Sequence, residues 1–210
     1  MENEFLIHWF RQDLRISDNP SLNYLSTKNK KIICIFILDE VNCERQLGSA
    51  SKLWLHYSLK NLNKQLDENL LLYKGNPEQI FSELLKEIKV SEISWNRCYE
   101  PWRVKRDKSL KSFLKKKVEV KTFNSSLLWE PWEVLKSDGT PYKIFTPFYQ
   151  RGCLNQRPPR KPISKKIFFF DHQIKSLKLN DLNLLKNKNW EDKVVNHWEI
   201  GELFAKKKIN

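Results

Sequence analysis

Short apolar runs, separated by longer stretches with helical spacing, constrain the fold of this chain most strongly. Near-continuous apolar runs occupy residues 4–10, 31–38, 70–73 and 91–95, and a fifth segment, 118–123, alternates apolar with polar side chains. A continuous run is typical of a strand covered on both faces, as in a parallel sheet, whereas alternation is typical of an edge strand. The pattern predicts a largely buried parallel sheet with its last strand at an edge.

Amphipathic stretches fill the gaps between the predicted strands. Residues 50–67 carry leucines at spacings of three and four, which form the stripe of a helix that buries one face: Leu55, Leu59, Leu62 and Leu66. Residues 78–88 repeat this spacing, and residues 102–116 repeat it more weakly. Strands that alternate with helices build β-α-β units with right-handed crossovers, so we predict an α/β fold with three layers.

Three of the predicted helices begin with the same device, a polar residue directly before a proline. The three starts are Asp18-Asn19-Pro20, Gly75-Asn76-Pro77 and Tyr99-Glu100-Pro101. The polar side chain can accept an orphan backbone N–H, and proline at the first helical position loses no hydrogen bond. Each start follows a strand, which places three helix N-termini along one sheet edge that favours anionic or polar ligands. Capping without any ligand explains each motif equally well.

Composition limits the partners and the location of the chain. The formal net charge of +13 suggests a polyanionic partner, although dispersed lysines on a solvated surface would give the same total. The four cysteines and four histidines are scattered without metal-ligand spacing, so we predict no metal site and no disulfide framework. No run is long enough to span a membrane, and the N-terminus lacks the pattern of a secretory signal. We therefore expect a cytoplasmic protein without a membrane partner.

The composition of the chain and its apolar periodicity change after residue 123. We assign residues 1–128 to the α/β domain and residues 129–180 to an extended, aromatic and proline-rich linker that wraps over this domain. Within the linker, the basic segment 157–166, from Arg157 to Lys166, is a candidate for weak, salt-sensitive contact with nucleic-acid phosphates. Residues 181–210 are polar and are assigned to the start of a further domain.

Seven blocks of this sequence, in order, resemble the DNA photolyase/cryptochrome family. The blocks are Trp9-Phe10-Arg11-Gln12-Asp13-Leu14-Arg15 with Asp18-Asn19-Pro20, then residues 36–39, 48–59, 73–77, 95–101 with Arg106-Asp107, 138–148 and 198–202. Together they cover nearly the whole chain and are similar to the N-terminal domain of the family. One departure is Ile200, where the family often has proline.

The resemblance implies a doubly wound, Rossmann-like domain with a five-stranded parallel sheet that carries an antenna chromophore. The chromophore is a folate, a deazaflavin or a flavin, depending on the family member. It also implies that a separate helical domain binds FAD, accepts damaged DNA and repairs pyrimidine dimers with light. Because this chain lacks that domain, we assign it no catalytic residues and expect a monomer that is inactive alone.

Ligands of doubly wound sheets dock where strand tips meet helix starts, at the point where strand order reverses. The residues there with suitable chemistry for a planar heteroaromatic chromophore are Arg11, Phe36, Asp39, Ala50, Ser51, Trp54, Cys98, Tyr99 and Glu100. Phe36 can stack, Arg11 offers a planar donor group, and Asp39 and Glu100 can accept ring N–H groups. Purely structural roles stay open: an ion-paired turn around Arg11, a cap for Glu100 and a core position for Trp54.

Two other functions remain open from the sequence. A cryptochrome-like signalling or interaction module would carry the same blocks. A stand-alone nucleotide-binding α/β domain is disfavoured, because the five glycines form neither G-x-G-x-x-G nor G-x-x-x-x-G-K-[ST].

Overall fold

A five-stranded, all-parallel sheet forms the centre of the computed structural model, which describes residues 4–163, 174–186 and 189–209. The strands are β1 (Phe5–Phe10), β2 (Lys31–Leu38), β3 (Leu70–Lys74), β4 (Val90–Asn96) and β5 (Glu119–Phe123). Their order across the sheet is β3-β2-β1-β4-β5, so the order reverses between β1 and β4. The doubly wound fold is thus confirmed, and β5 lies at an edge as its alternation predicts.

Four helices cover the two faces of this sheet. They are α1 (Pro20–Ser26), α2 (Ser49–Gln65), α3 (Pro77–Glu87) and α4 (Pro101–Leu114). Leucines of α1 and α2 pack with one face of the sheet, and apolar side chains of α3 and α4 pack with the other. The predicted stripe of α2 lies in the first of these clusters: Leu59 and Leu62 are fully buried, as is Leu66 just after the helix. This arrangement confirms the three-layer sandwich.

Two of the three predicted caps form. The side chain of Asn19 accepts the backbone N–H of Leu22, and that of Asn76 accepts the backbone N–H of Glu78. Glu100 occupies the corresponding position before α4, but its side chain makes no capping hydrogen bond. Instead its carboxylate accepts the side-chain amide of Gln12 at 2.6 Å, because the charged turn after β1 lies within reach.

The described residues beyond β5 contact the sheet at two places: Glu130 accepts the side chain of Arg97, just after β4, and Leu177 forms an isolated bridge with Leu72 of β3. Residues 145–155 form helical turns that begin with α5 (Phe145–Pro147). The helices α6 (Asn189–His197) and α7 (Glu202–Ile209) follow. The carboxylate of Glu202 anchors α7 by accepting the backbone N–H groups of Ile16 and Ser17. The three domain boundaries stay predictions.

Hydropathy gives one further finding. Within the part of the chain that the structure describes, no helix combines the length and the apolar character needed to cross a bilayer.

Candidate functional site

A buried polar network occupies the point where the strand order reverses. The side chains of β1, β4, α1 and the turn after β1 meet there; they belong to His8, Asp13, Asn19, Ser21, Ser94 and Asn96. The hydroxyl of Ser21 hydrogen-bonds Nδ1 of His8 at 2.9 Å and the hydroxyl of Ser94 at 2.6 Å. Asn96 donates to Asp13 and Asn19 and accepts the backbone N–H of Ser21. These hydrogen bonds fix the ends of β1 and β4 against the start of α1.

Burial controls the protonation of the two titratable groups in this network. Burial, with a smaller contribution from the charge of Arg11, lowers the pKa of His8 to about 3. His8 is therefore neutral at neutral pH. Burial raises the pKa of Asp13, although the hydrogen bond from Asn96 and the charge of Arg11 act in the opposite direction. The network therefore contains a neutral imidazole, that of His8, and a buried carboxyl, that of Asp13, which accepts hydrogen bonds from several donors.

A chain of ion pairs closes the carboxyl edge beside this network. Arg11 donates through Nη1 to Asp107 and through Nη2 to the backbone carbonyl of Asn96. Arg106 donates to the other oxygen of Asp107 at 2.8 Å and to Asp39 at 3.0 Å. The side chains of Arg11, Arg106 and Asp39 are each at most 7% exposed, so these pairs are shielded from solvent. The tips of β1 and β2 are thereby tied to α4.

Arginine and tryptophan side chains alternate through the same region. The guanidinium groups of Arg11 and Arg106 lie 5.1 and 5.0 Å from the ring of Trp9. Arg106 also lies 5.2 Å from Trp102, and Arg103 lies 4.6 Å from that ring. Cation–π contacts of this kind contribute more when they are shielded from water. The end of β1 is thus joined to α4 by contacts between arginine and tryptophan side chains.

The three predicted residues after β4 make contacts within the chain. Cys98 is buried beside Arg103, and burial raises the pKa of its thiol. The hydroxyl of Tyr99 donates to Glu130 at 2.8 Å, and burial together with this carboxylate raises the pKa of Tyr99 to about 12. Burial acts to raise the pKa of Glu100, but hydrogen bonds, including that from Gln12, and the charge of Arg103 outweigh it and lower the pKa.

The other predicted residues divide between the core and the surface. Phe36 is only 5% exposed and packs among the leucines of α1 and α2. Asp39 holds the turn after β2, because it accepts the backbone N–H groups of Val41 and Asn42 in addition to Arg106. Ala50, Ser51 and Trp54, in the first turns of α2, are exposed to solvent. The structure therefore joins Arg11 to Asp39 through α4, and it leaves the α2 residues accessible.

Several residues of this edge were not assigned to the site from the sequence. Trp198 lies 6.1 Å from Trp54, with the two rings at an interplanar angle of 70°. Arg103, Arg106 and Asp107 supply most of the ion pairs. The only available signal was their presence in, or next to, blocks that resemble the photolyase family, since the contacts of Arg106 with Asp39 and of Trp198 with Trp54 join residues that are far apart in the sequence.

Two cavities lie away from the predicted residues. One, of about 690 Å³, lies between the second half of α2, β3 and residues 176–179. The other, of about 340 Å³, lies between residues 124–133 and 157–160 beside Arg97. None of the nine predicted chromophore residues lines either cavity.

Comparison with known proteins decides the family. The model of the family described as DNA photolyase matches residues 6–165. The chain is 32% identical to the deoxyribodipyrimidine photo-lyase of Agrobacterium fabrum, over 98% of this chain and 44% of that protein. The chain belongs to the DNA photolyase family. The recognition that rested on the seven sequence blocks is confirmed.

Further photolyase relatives agree in fold and in sequence. The crystal structure of a class III photolyase from Agrobacterium tumefaciens superposes with a TM-score of 0.89 and 31% identity, covering 99% of this chain and 44% of that one. Cryptochrome-1 of Arabidopsis thaliana is 33% identical over 75% of this chain and 25% of its own length. This photolyase-family chain therefore spans less than half of each of these relatives, and it corresponds to their N-terminal α/β domain.

Proposed function

We propose that the chain is the antenna-chromophore domain of a light-driven DNA repair protein and acts together with a helical, FAD-binding domain. The observation that carries this proposal is the match to the photolyase of Agrobacterium fabrum over nearly all of this chain but 44% of that protein. The catalytic flavin, the electron transfer to a pyrimidine dimer and the binding of damaged DNA are assigned to the helical domain. A cryptochrome-like signalling role is the second candidate, because cryptochromes match the same domain.

The inner residues of the predicted set offer few free groups to a chromophore. Both terminal nitrogens of Arg11 are bound to Asp107 and Asn96, and its buried Nε is its one guanidinium nitrogen without a hydrogen-bond partner among the described residues. Asp39 is saturated by the turn after β2 and by Arg106. Phe36 and Cys98 are each less than a tenth exposed. We assign to these residues, and to Tyr99 and Glu100, the positioning of the edge rather than direct contact with a ring.

The outer residues fit a planar ring better. Trp54 and Trp198 are 44% and 55% exposed, so their ring surfaces are available for stacking. Ala50 and Ser51 are small and allow a ring to approach the backbone of α2. The first turn of α2 has no side-chain cap, which leaves backbone N–H groups for an anionic tail. The bound antenna would supply light absorption and energy transfer to the flavin, while these residues orient it.

An exposed apolar patch supports association with a further domain. Ile144 and Phe145 are 68% and 73% exposed, and Tyr149 stacks on Phe145 with ring centroids 5.9 Å apart. Contiguous apolar surface of this kind marks an interaction site. The photolyase relatives are more than twice as long as this chain, so we assign the patch to contact with the helical flavin domain.

Chromophore binding by the chain tests this assignment. We expect added folate, deazaflavin or FMN to bind, with quenching of tryptophan fluorescence and a near-ultraviolet or blue absorbance that co-elutes with the protein. Trp54→Ala should weaken binding about fivefold, since loss of aromatic stacking costs about 1 kcal/mol. Trp132→Ala is the matched control, because Trp132 is 60% exposed but lies outside the proposed contact.

Two results would count against the assignment. Failure of all three chromophores to bind would remove the antenna role of this chain. Equal weakening by Trp54→Ala and Trp132→Ala would show that the first turns of α2 do not form the site.

Direct contact of segment 157–166 with nucleic acid remains a weaker proposal. Arg157 is ion-paired with Glu133, and Arg160 is ion-paired with Asp18. Residues 164–166 lie outside the described part of the chain. The segment is thus fastened to the domain by the same arginines that would have to reach phosphates. A monomeric state and a cytoplasmic location likewise stay proposals.

A further inference from the structure

Positive charge is concentrated on α4 and the residues that directly follow it. Residues 101–117 contain eight lysines and arginines and one aspartate, which is a net charge of +7 out of the +13 of the whole chain. Neither the fold nor the proposed chromophore site requires this concentration. A charge asymmetry of this size in one element calls for its own explanation.

After Pro101, the exposed residues of α4 are only lysines and serines. We define the α4 cationic face by six exposed residues of α4 and of the turn that follows it, which are Lys105, Lys108, Ser109, Ser112, Lys115 and Lys116. The one acidic residue of the helix, Asp107, is engaged with Arg11 and Arg106. Among the residues that the structure describes, none lies in an ion pair with any of the four lysines of this face. The charge is therefore presented to solvent without compensation.

Helix stability does not account for these lysines. Cations near the C-terminus of a helix interact favourably with its dipole, which suits Lys115 and Lys116. Lys105 and Lys108 lie in the middle of α4, before its last turn, where this effect is absent. The chain also places Lys111 three residues after Lys108 and four before Lys115, spacings at which like charges repel.

The pKa of the half-buried Lys111 reflects this repulsion between like charges. Burial lowers the pKa of Lys111, and the charges of Lys115, Arg97 and Lys121 lower it further. No carboxylate contributes to the shift. The surface that surrounds the C-terminal half of α4 is therefore electrostatically positive, and an external anion would relieve the repulsion.

We propose that the α4 cationic face binds the phosphate backbone of duplex DNA. At 1.5 Å per residue, Lys105 and Lys115 are about 15 Å apart along the helix, a length that faces about four phosphates of one DNA strand. The face has no exposed aromatic side chain on which unpaired bases could stack, and no apolar anchor for a protein partner. The expected binding is sequence-independent and independent of DNA damage.

This contact is separate from the proposed repair function. Damage recognition is assigned to the helical domain, whereas the α4 cationic face would add non-specific affinity and would keep the protein near DNA. Binding by this face requires neither chromophore, nor flavin, nor light. A measurement with undamaged DNA in the dark therefore tests this proposal and leaves the antenna role untouched.

Salt dependence of duplex binding is the decisive measurement. We use the full 210-residue chain and a fluorescently labelled, undamaged 30-base-pair duplex, and we measure anisotropy from 50 to 200 mM salt. Four phosphate contacts give a logarithmic slope of about −3.6, so affinity should fall about 100-fold over this range. We then change all four lysines of the face to Gln, namely Lys105, Lys108, Lys115 and Lys116. This variant should lose most of the slope and should bind the duplex at least tenfold more weakly at 50 mM salt.

The matched control removes the same charge elsewhere. Four exposed lysines outside α4 are changed together to Gln, namely Lys60, Lys64, Lys186 and Lys193. The logarithmic salt slope of this variant should differ from that of the unsubstituted chain by less than about one. Circular dichroism checks that both variants fold. Equal weakening in the two variants would show that only net charge matters and would overturn the proposal. Unlabelled duplex should compete better than polyglutamate at the same concentration of negative charge. Equal competition by the two polyanions would also overturn the proposal.

Discussion

Replacement of Arg11 by alanine is expected to lower the free energy of unfolding by about 3 kcal/mol. The side chain of Arg11 is 2% exposed and bridges Asp107, the backbone carbonyl of Asn96 and the face of Trp9. Its removal leaves a buried carbonyl without a donor and a gap beside a fully buried ring. Loss of one partner of a buried ion pair typically costs 3–5 kcal/mol, and Arg106 keeps Asp107 partly compensated, which favours the lower end.

Urea unfolding of Arg157→Ala provides the comparison for Arg11→Ala. Arg157 is also ion-paired, with Glu133, but its side chain is 78% exposed, so its removal should cost less than about 1 kcal/mol. The difference between the two variants separates a shielded ion pair from a solvated one. If Arg11→Ala unfolds at the same urea concentration as the unsubstituted chain, then Arg11 is not part of the framework of the sheet edge, and its assignment to positioning is wrong.

Acid is expected to destabilise the fold through His8. In the unfolded chain His8 has the ordinary histidine pKa near 6.5, whereas in the fold burial lowers its pKa to about 3. Between these values the unfolded chain binds a proton that the folded chain does not, so the unfolding free energy decreases as pH falls. Over the two units from pH 6.5 to 4.5 this linkage amounts to about 2 kcal/mol.

The variant His8→Gln isolates this linkage. Glutamine can hydrogen-bond with Ser21 but does not titrate, so the variant should lose about 2 kcal/mol less than the unsubstituted chain over the same pH interval. The raised pKa of Asp13 acts in the opposite direction, and the lowered pKa of His56 acts in the same direction as His8. Both groups are present in both proteins and cancel in the comparison. Identical pH profiles, or an NMR titration of His8 near pH 6.5, would contradict this account.

Local sequence signals predicted the strands, the helices and the three layers, and the resemblance to the photolyase family implied the doubly wound order. The apolar runs, the leucine stripe of α2 and the proline-marked helix starts predicted all five strands and the four helices that cover them. Glu100 shows the limit of such signals. A polar residue before Pro101 predicted a cap, but the carboxylate is drawn to Gln12, whose position depends on the tertiary fold.

The candidate site depended on contacts between distant parts of the chain. Arg11 meets Asp107, which is 96 residues away, and Trp54 meets Trp198 across the fold. The chemistry of Arg11 indicated that it could donate to a ligand, but only the structure shows that its two terminal nitrogens are already bound within the chain. The concentration of lysines on one side of α4 was visible in the sequence, yet its exposure could be recognised only when Leu110 and Leu114 were seen to pack on the sheet.

The antenna role is tested most directly by an action spectrum of repair. This chain is joined to the part of the Agrobacterium fabrum photolyase that it does not match and is loaded with the chromophore that binds. The fusion is then illuminated with cyclobutane-dimer DNA at wavelengths from the near-ultraviolet to the blue. The account predicts that repair follows the absorption band of the chromophore in addition to that of reduced flavin, and that Trp54→Ala removes this added band while flavin-driven repair persists. A spectrum that follows the flavin alone, with chromophore demonstrably bound, would contradict it.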